Sequence, residues 1–305
     1  MSFNQVTRDV STAKQIFSFG EILWDQFPSY RIAGGSPFNV AAHLHFLGYD
    51  SHLISALGND EAGRDLLDLV HGMGLSSTYV CQNELPSGLV NIRFSEGEPA
   101  YTIEEDVAWD YIGIQDVLIG KISSANAFVF ASLAQRSEMN VQTLKKLMDH
   151  LPAQATVIFD CNLRPPFIDD EKLKLSIEWS DIVKCNEGEW EFIQELFDLD
   201  ALELVEEAQL EALLITKGEK GATVFTCDGL EIHQSAMAIP KTNQIGDFVG
   251  VGDAFLAVIT ALYLHNLEWP EILERAARYA AWVASQRGGT PHPPEAVTRA
   301  VLAFK

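Results

Sequence analysis

Short apolar runs that stop at a glycine or a polar residue recur along this chain. Residues 16–19 run into Gly20-Glu21, residues 127–130 into Ala131-Ser132, and residues 156–159 into Asp160. Residues 181–183 lead to Lys184-Cys185-Asn186, and residues 213–215 to Thr216-Lys217-Gly218. Runs this short and this continuously apolar predict strands buried on both faces of a parallel sheet. Helical periodicity fills the intervals, as in residues 137–150 and 187–197. Such alternation predicts an α/β fold with a doubly wound, mostly parallel sheet. Ligands of such sheets bind beyond the carboxyl ends of the strands, where the polar residues that end each run are expected.

The pattern changes at residues 87–103. Leu89-Val90-Asn91-Ile92-Arg93-Phe94 alternates, Ser95-Glu96-Gly97-Glu98 reads as a turn, and Ala100-Tyr101-Thr102-Ile103 returns. This predicts a hairpin which, with residues 29–33, forms a small antiparallel β lid. No internal repeat and no long linker interrupts the pattern, so residues 1–305 are expected to form one domain. A chain of this size buries roughly three quarters of its unfolded surface.

Composition narrows the function classes. Apolar residues make up 47% and charged residues 21%, which excludes a disordered chain. Acidic side chains number 43 against 21 basic ones, a formal charge of −22. That field repels nucleic-acid backbones and anionic lipid surfaces, so neither partner is expected. Cys81, Cys161, Cys185 and Cys227 contain no Cys-x-x-Cys pair, which argues against a zinc ribbon or a disulfide scaffold. Residues 1–15 are too polar for a signal peptide, and the apolar run 249–264 is interrupted by Asp253 and too short to span a bilayer. A cytoplasmic location is the expectation.

Two glycine turns carry the candidate chemistry. There is no Gly-x-x-x-x-Gly-Lys-Ser/Thr loop, and in Gly250-Val251-Gly252-Asp253-Ala254-Phe255 a phenylalanine occupies the third glycine position of a dinucleotide fingerprint. The same segment opens an apolar, hence buried, helix whose first turn offers free N–H groups and a partial positive charge. Glycines there admit a phosphoryl group to those donors. Asp253 alone reads equally as an acid matched to the helix dipole. In Ala33-Gly34-Gly35-Ser36-Pro37-Phe38-Asn39, Ser36 is expected to cap a helix, with Pro37 as its first residue and Gly48 closing it. Val40, Leu44 and Leu47 would form the buried stripe of that helix, with Asn39 directed back toward Gly34 and Gly35. His43 and His45, two apart on the helix, make a poor metal pair.

Together the two turns resemble the signatures of the ribokinase/PfkB-type carbohydrate kinases. Gly20-Glu21-Ile22-Leu23-Trp24-Asp25, Asp160-Cys161-Asn162-Leu163-Arg164-Pro165-Pro166, Asn186-Glu187-Gly188-Glu189 and Thr216-Lys217-Gly218-Glu219-Lys220-Gly221 fit the same family in order. The resemblance implies transfer of a phosphoryl group from ATP to a sugar hydroxyl, with Asp253 as base and the amides of Gly250, Val251, Gly252 and Asp253 as an anion hole. It implies sugar contacts from Asp25, Gly34, Gly35, Asn39 and Arg164. It places Asn186, Glu189, Thr216, Gly218 and Gly221 around the nucleotide, with Glu189 near Mg2+ through water. Read without the family, Asp25 is a loop carboxylate, Arg164 a surface ion-pair residue, and Asn186 with Glu189 a capping box. Asp247 matches a monovalent-cation ligand, K+ in the family. Phe248 and Val249 replace the small hydroxyl residues that usually follow it. No asparagine in residues 276–283 matches the family's adenine contact.

Local matches favour fructokinase-like members, so fructose is the first expected substrate. Ribose, a nucleoside or 2-keto-3-deoxygluconate is the alternative, and a catalytically silent sugar-binding regulator the rival from another class. Family members often pair through the lid, which makes a homodimer an expectation of the resemblance.

Overall fold

The computed structural model describes residues 14–95, 98–240, 246 and 248–303. The first glycine turn follows a strand pair at the start of the chain. β1 (Gln15–Phe19) leads to β2 (Leu23–Gln26), β3 (Arg31–Gly34) and α1 (Ser36–Phe46). After β4 (Asp50–Gly58), α2 (Glu61–Gly72) and β5 (Val80–Asn83) comes the hairpin of β6 (Gly88–Ser95) and β7 (Glu98–Ile103). Strands and helices then alternate: α3 (Asp116–Ile122), β8 (Ala127–Ala131), α4 (Glu138–Met148), β9 (Thr156–Asp160), α5 (Asp170–Glu178) and β10 (Ile182–Asn186). α6 (Glu187–Phe197), α7 (Ala201–Glu207), β11 (Ala212–Thr216), β12 (Ala222–Thr226) and β13 (Glu231–Gln234) precede the closing helices α8 (Val251–Tyr263), α9 (Trp269–Ala284) and α10 (Glu295–Val301).

The large sheet has nine strands in the order β13-β12-β11-β10-β9-β8-β1-β4-β5. Pairing is parallel from β5 across to β11, and antiparallel where β12 and β13 are added at the edge. Alternate strand residues enter opposite cores, as a period of two requires. Phe17, Phe128, Phe159 and Val183 pack with α3–α7, whereas Ile16, Val129, Ile158 and Ile182 pack with α1, α8 and α9. The alternating strands and helices read from the hydrophobic pattern thus form a three-layer, doubly wound sheet. Strand order reverses at β1, which lies between β4 and β8, so the crevice beyond its carboxyl end is the expected ligand position.

The second sheet has the order β3-β2-β6-β7. It differs from the antiparallel lid expected above, because β2 and β6 run parallel, Asp25 opposite Val90. β2 is four residues long and holds only Leu23 and Trp24 in the core, too little periodicity to reveal a strand. Trp24 pins this sheet to α2 by donating its indole N–H to the Ala62 carbonyl at 3.0 Å. Arg31 stacks over Trp24 at 4.3 Å and pairs with Asp65. Among the described residues no helix is long and apolar enough to cross a membrane.

Candidate active site

α8 is the most apolar helix of the chain and is packed on all sides. Ala254 to Leu262 are all buried, so its axis is fixed and its first turn is presented at the sheet's carboxyl edge. Gly250 takes the cap position in the left-handed region (φ 69°), and a Cβ there would lie 2.6 Å from the Gly289 Cα. Only glycine meets both conditions. Among the described residues no side chain caps this end, which leaves the amides of Val251, Gly252 and Asp253 to an anion.

α1 arrives at the same point from the other glycine turn. Gly35 is the cap, and Ser36 is the first helical residue rather than the capping residue the sequence suggested. The Ser36 hydroxyl is spent elsewhere: it donates to Asp253 Oδ1 at 2.8 Å and lies 3.3 Å from Asp160 Oδ2. Asn39 is directed at Asp253, not back at Gly34 and Gly35, and donates from Nδ2 to Oδ2 at 2.7 Å. Both oxygens of Asp253 are therefore oriented by α1. His43, fully buried one turn further on, holds the far wall. Its Nε2 donates to the Gly289 carbonyl at 2.8 Å, and its Nδ1 accepts from the Tyr279 hydroxyl at 3.0 Å. Burial, opposed by that Gly289 hydrogen bond, pulls the His43 pKa down to about 4, so the ring is neutral.

Beyond β1 the carboxylates lie close together. Glu21 is buried, with Oε1 accepting from the Ser36 amide at 3.1 Å and Oε2 without a partner among the described residues. Burial pushes its pKa up to about 7, against the pull of its own and the Ser36 backbone amide and of Arg164. Asp25, on β2, is raised to about 6, first by burial and then by Asp253, with Arg164 opposing. Asp25, Arg164 and Asp253 therefore share one electrostatic environment. A Cβ on Gly34 would lie 2.4 Å from Asp25 Oδ2, so the bare backbone of β3 is what gives that carboxylate room.

The nucleotide candidates lie at neighbouring strand ends. Asn186 ends β10 and caps α6 in a reciprocal capping box with Glu189: Asn186 Oδ1 accepts from the Glu189 amide at 2.9 Å, and Glu189 Oε2 from the Asn186 amide at 2.8 Å. Glu189 Oε1 also accepts from the Leu163 amide at 2.9 Å, which ties α6 to the Arg164 loop. Thr216 ends β11, and Gly218 (φ 55°) opens the next turn. A Cβ on Gly221 would lie 2.0 Å from the Gln234 carbonyl oxygen, a packing demand independent of any ligand. Asp247 lies outside the described residues. Phe248 is 72% exposed.

Sequence reasoning gave no role to Glu21, Asp160 or Lys184. Asp160 and Lys184 are register partners on β9 and β10, and Lys184 Nζ donates to Asp160 Oδ1 at 2.8 Å. Their signal was present, since each ends an apolar run at the carboxyl edge of the sheet. A cleft of about 330 Å³ beside Asp110, Arg136 and Phe167 contains none of the candidate residues, and neither does an acidic one of about 670 Å³ beside Glu203, Glu211 and Cys227.

The sheet reverses at β1, and beside that point a glycine-led helix presents its first turn with the Asp253 carboxylate held at its mouth, on a doubly wound fold. The family model described as pfkB family carbohydrate kinase matches residues 1–296, and the chain belongs to that family. It is 28% identical over 273 residues to a fructokinase of Escherichia coli, covering 84% of this chain and 86% of the relative. The structure of a fructokinase with bound ATP from Xylella fastidiosa superimposes with a TM-score of 0.81 at 20% identity, over 95% of this chain and 98% of that one. A Burkholderia thailandensis nucleoside kinase in complex with inosine gives a TM-score of 0.77 at 22% identity, over 95% and 98%.

Proposed function

We propose that this sugar kinase transfers the γ-phosphoryl group of ATP to a primary hydroxyl of a monosaccharide, with fructose as the first candidate. The observation that carries the reading is the fixing of both Asp253 oxygens by Ser36 and Asn39 at the free N-terminus of α8, within the electrostatic reach of Asp25. Asp253 takes the proton of the attacking hydroxyl as the new P–O bond forms and the bond to the ADP oxygen breaks. The amides of Gly250, Val251, Gly252 and Asp253 meet the charge on the equatorial oxygens, since phosphoryl transfer depends on positioning and charge stabilisation. Asp25 accepts two sugar hydroxyl protons, Gly34 and Gly35 bring bare backbone to the sugar, and Asn39 and Arg164 flank it.

Asn186, Glu189, Thr216, Gly218 and Gly221 are assigned to the nucleotide side. The oxygen-only donors there suit Mg2+, which keeps several waters and enters on the nucleotide phosphates. Glu189 fits a role through water, because each of its oxygens is already anchored by a backbone amide. When bound, the metal neutralises phosphate charge. Asp247 stays assigned to a monovalent cation, K+, and lid pairing to a homodimer.

Fructose leads over a phosphorylated sugar because Arg31, a lid cation, is already engaged by Asp65 and Trp24. The test is a coupled ADP-release assay over fructose, ribose, nucleosides and 2-keto-3-deoxygluconate, with and without potassium. Turnover of fructose is expected; turnover of ribose or a nucleoside without fructose replaces that assignment. Absence of turnover on every sugar returns the chain to the silent regulator.

A further inference from the structure

Lys184 is a buried cation with too few partners. Its side chain is 9% exposed, and an ammonium carries three N–H donors. One of them reaches Asp160 Oδ1 at 2.8 Å, and among the described residues Nζ has no second hydrogen-bond partner. Burial pulls this group toward neutrality, but Asp160 and then Asp253 outweigh it and hold its pKa above the ordinary lysine value. Burial also pushes Asp160 upward, opposed by the Lys184 ammonium 2.8 Å from it. A structural ion pair would be expected to satisfy itself, because stranded donors in a buried site are costly.

The unused donors lie beside the anion hole. A Cβ added to Gly252 would stand 3.4 Å from Lys184 Nζ, so the ammonium is next to the first turn of α8, and the missing side chain leaves the approach open. β10 sets this position: Lys184 lies two residues before Asn186, which ends the strand, and within electrostatic reach of both Asp253 and Glu189. A phosphoryl group passing between them would run along this ammonium.

We infer that Lys184 is a catalytic residue of this kinase, donating its free N–H groups to an oxygen of the phosphoryl group in transfer while Asp160 aims it. The inference rests on the phosphoryl-transfer reading above and adds a side-chain cation to an anion hole otherwise made of backbone amides. Charge develops on the equatorial oxygens in the transition state, so this interaction is worth most there.

The test uses the full chain with ATP, Mg2+ and whichever sugar the wild type turns over. Lys184→Met keeps length and loses charge; kcat is expected to fall on the order of 10²–10³-fold, with the sugar KM within about threefold. Binding of ADP with aluminium fluoride, which mimics the phosphoryl group in flight, should weaken in parallel. Asp160→Asn, which keeps the ammonium, should lose at least tenfold less, and Lys184→Arg should recover part of the rate. Should Lys184→Met melt below assay temperature, Lys184→Gln is measured against the same thresholds. A kcat loss under about fivefold, unchanged binding of the fluoride complex, or an Asp160→Asn loss equal to that of Lys184→Met each overturns the inference. Asp253→Asn is run alongside. An active wild type with a dead Asp253→Asn and a near-normal Lys184→Met rejects Lys184 alone, whereas a wild type inactive on every sugar rejects the functional reading beneath it.

Discussion

Glu21, buried, and Asp25, half-buried, lie beyond β1 without an ion-pair partner among the described residues, while two strands away Asp160 is buried against Lys184. The sheet edge and the chemical group are the same, but the consequences differ. Where no cation makes contact, desolvation dominates and the carboxyl groups rise to about 7 and about 6. At Asp160 burial also raises the carboxyl, but the Lys184 ammonium opposes it and keeps donors in reserve. On the proposed reading the first region receives neutral hydroxyl groups and the second an anion. Asp253 is held by Ser36, which also touches Asp160, so it is the hinge between the two.

Removing that hinge should have the largest effect. Asp253→Asn is expected to lower kcat by about 10³–10⁴-fold with sugar affinity changed only a few-fold, measured by initial rates and equilibrium binding. A loss below tenfold would mean that the two regions do not meet at this residue. Gly250→Ala tests the backbone part of the phosphate region. A methyl group 2.6 Å from the Gly289 Cα at a left-handed φ displaces the turn, and a loss of about 10²-fold in kcat is expected, with the sugar KM preserved.

The pH dependence separates the regions further. On the proposed reading Asp25 must be ionised to accept hydroxyl protons, and its raised pKa means that this form is lost as pH falls through about 6. Below that value kcat/KM should drop tenfold per unit, a limb that Asp25→Asn removes along with most activity.

The smallest effect is on stability. The folded-state pKa of Glu21 lies above its unfolded value, so the folded state binds the extra proton between about 4.5 and 7, and stability is lost as pH rises through that window. His43 acts oppositely, losing stability as pH falls from 6.5 toward 4, so the wild-type profile mixes the two. Glu21→Gln isolates the first. It should match the wild type near pH 4.5 and exceed it by up to about 3 kcal/mol above pH 7, seen as a melting temperature several degrees higher.

Elements governed by local periodicity were legible in the sequence. The run at residues 156–159 is β9, the periodicity at 187–197 is α6, and the apolar stretch after Gly252 is the buried α8. Relations set by long-range pairing were not. The parallel match of β2 to β6 depends on a crossover, and the Asp160–Lys184 contact on the register of β9 with β10. Ser36 shows the limit most clearly. A serine before a proline at a helix start satisfies every local criterion for a cap, yet its hydroxyl is claimed by carboxylates 124 and 217 residues away.

That distance bears on how the site is assembled. Ser36 and Asn39 precede the carboxylate they orient by 217 and 214 residues, so the arrangement exists only once α1 and α8 have docked. A chain cut before α8 has Ser36 and Asn39 but lacks the carboxylate they orient. On the proposed reading such a fragment would not turn over, and turnover would report that α8 has docked against α1.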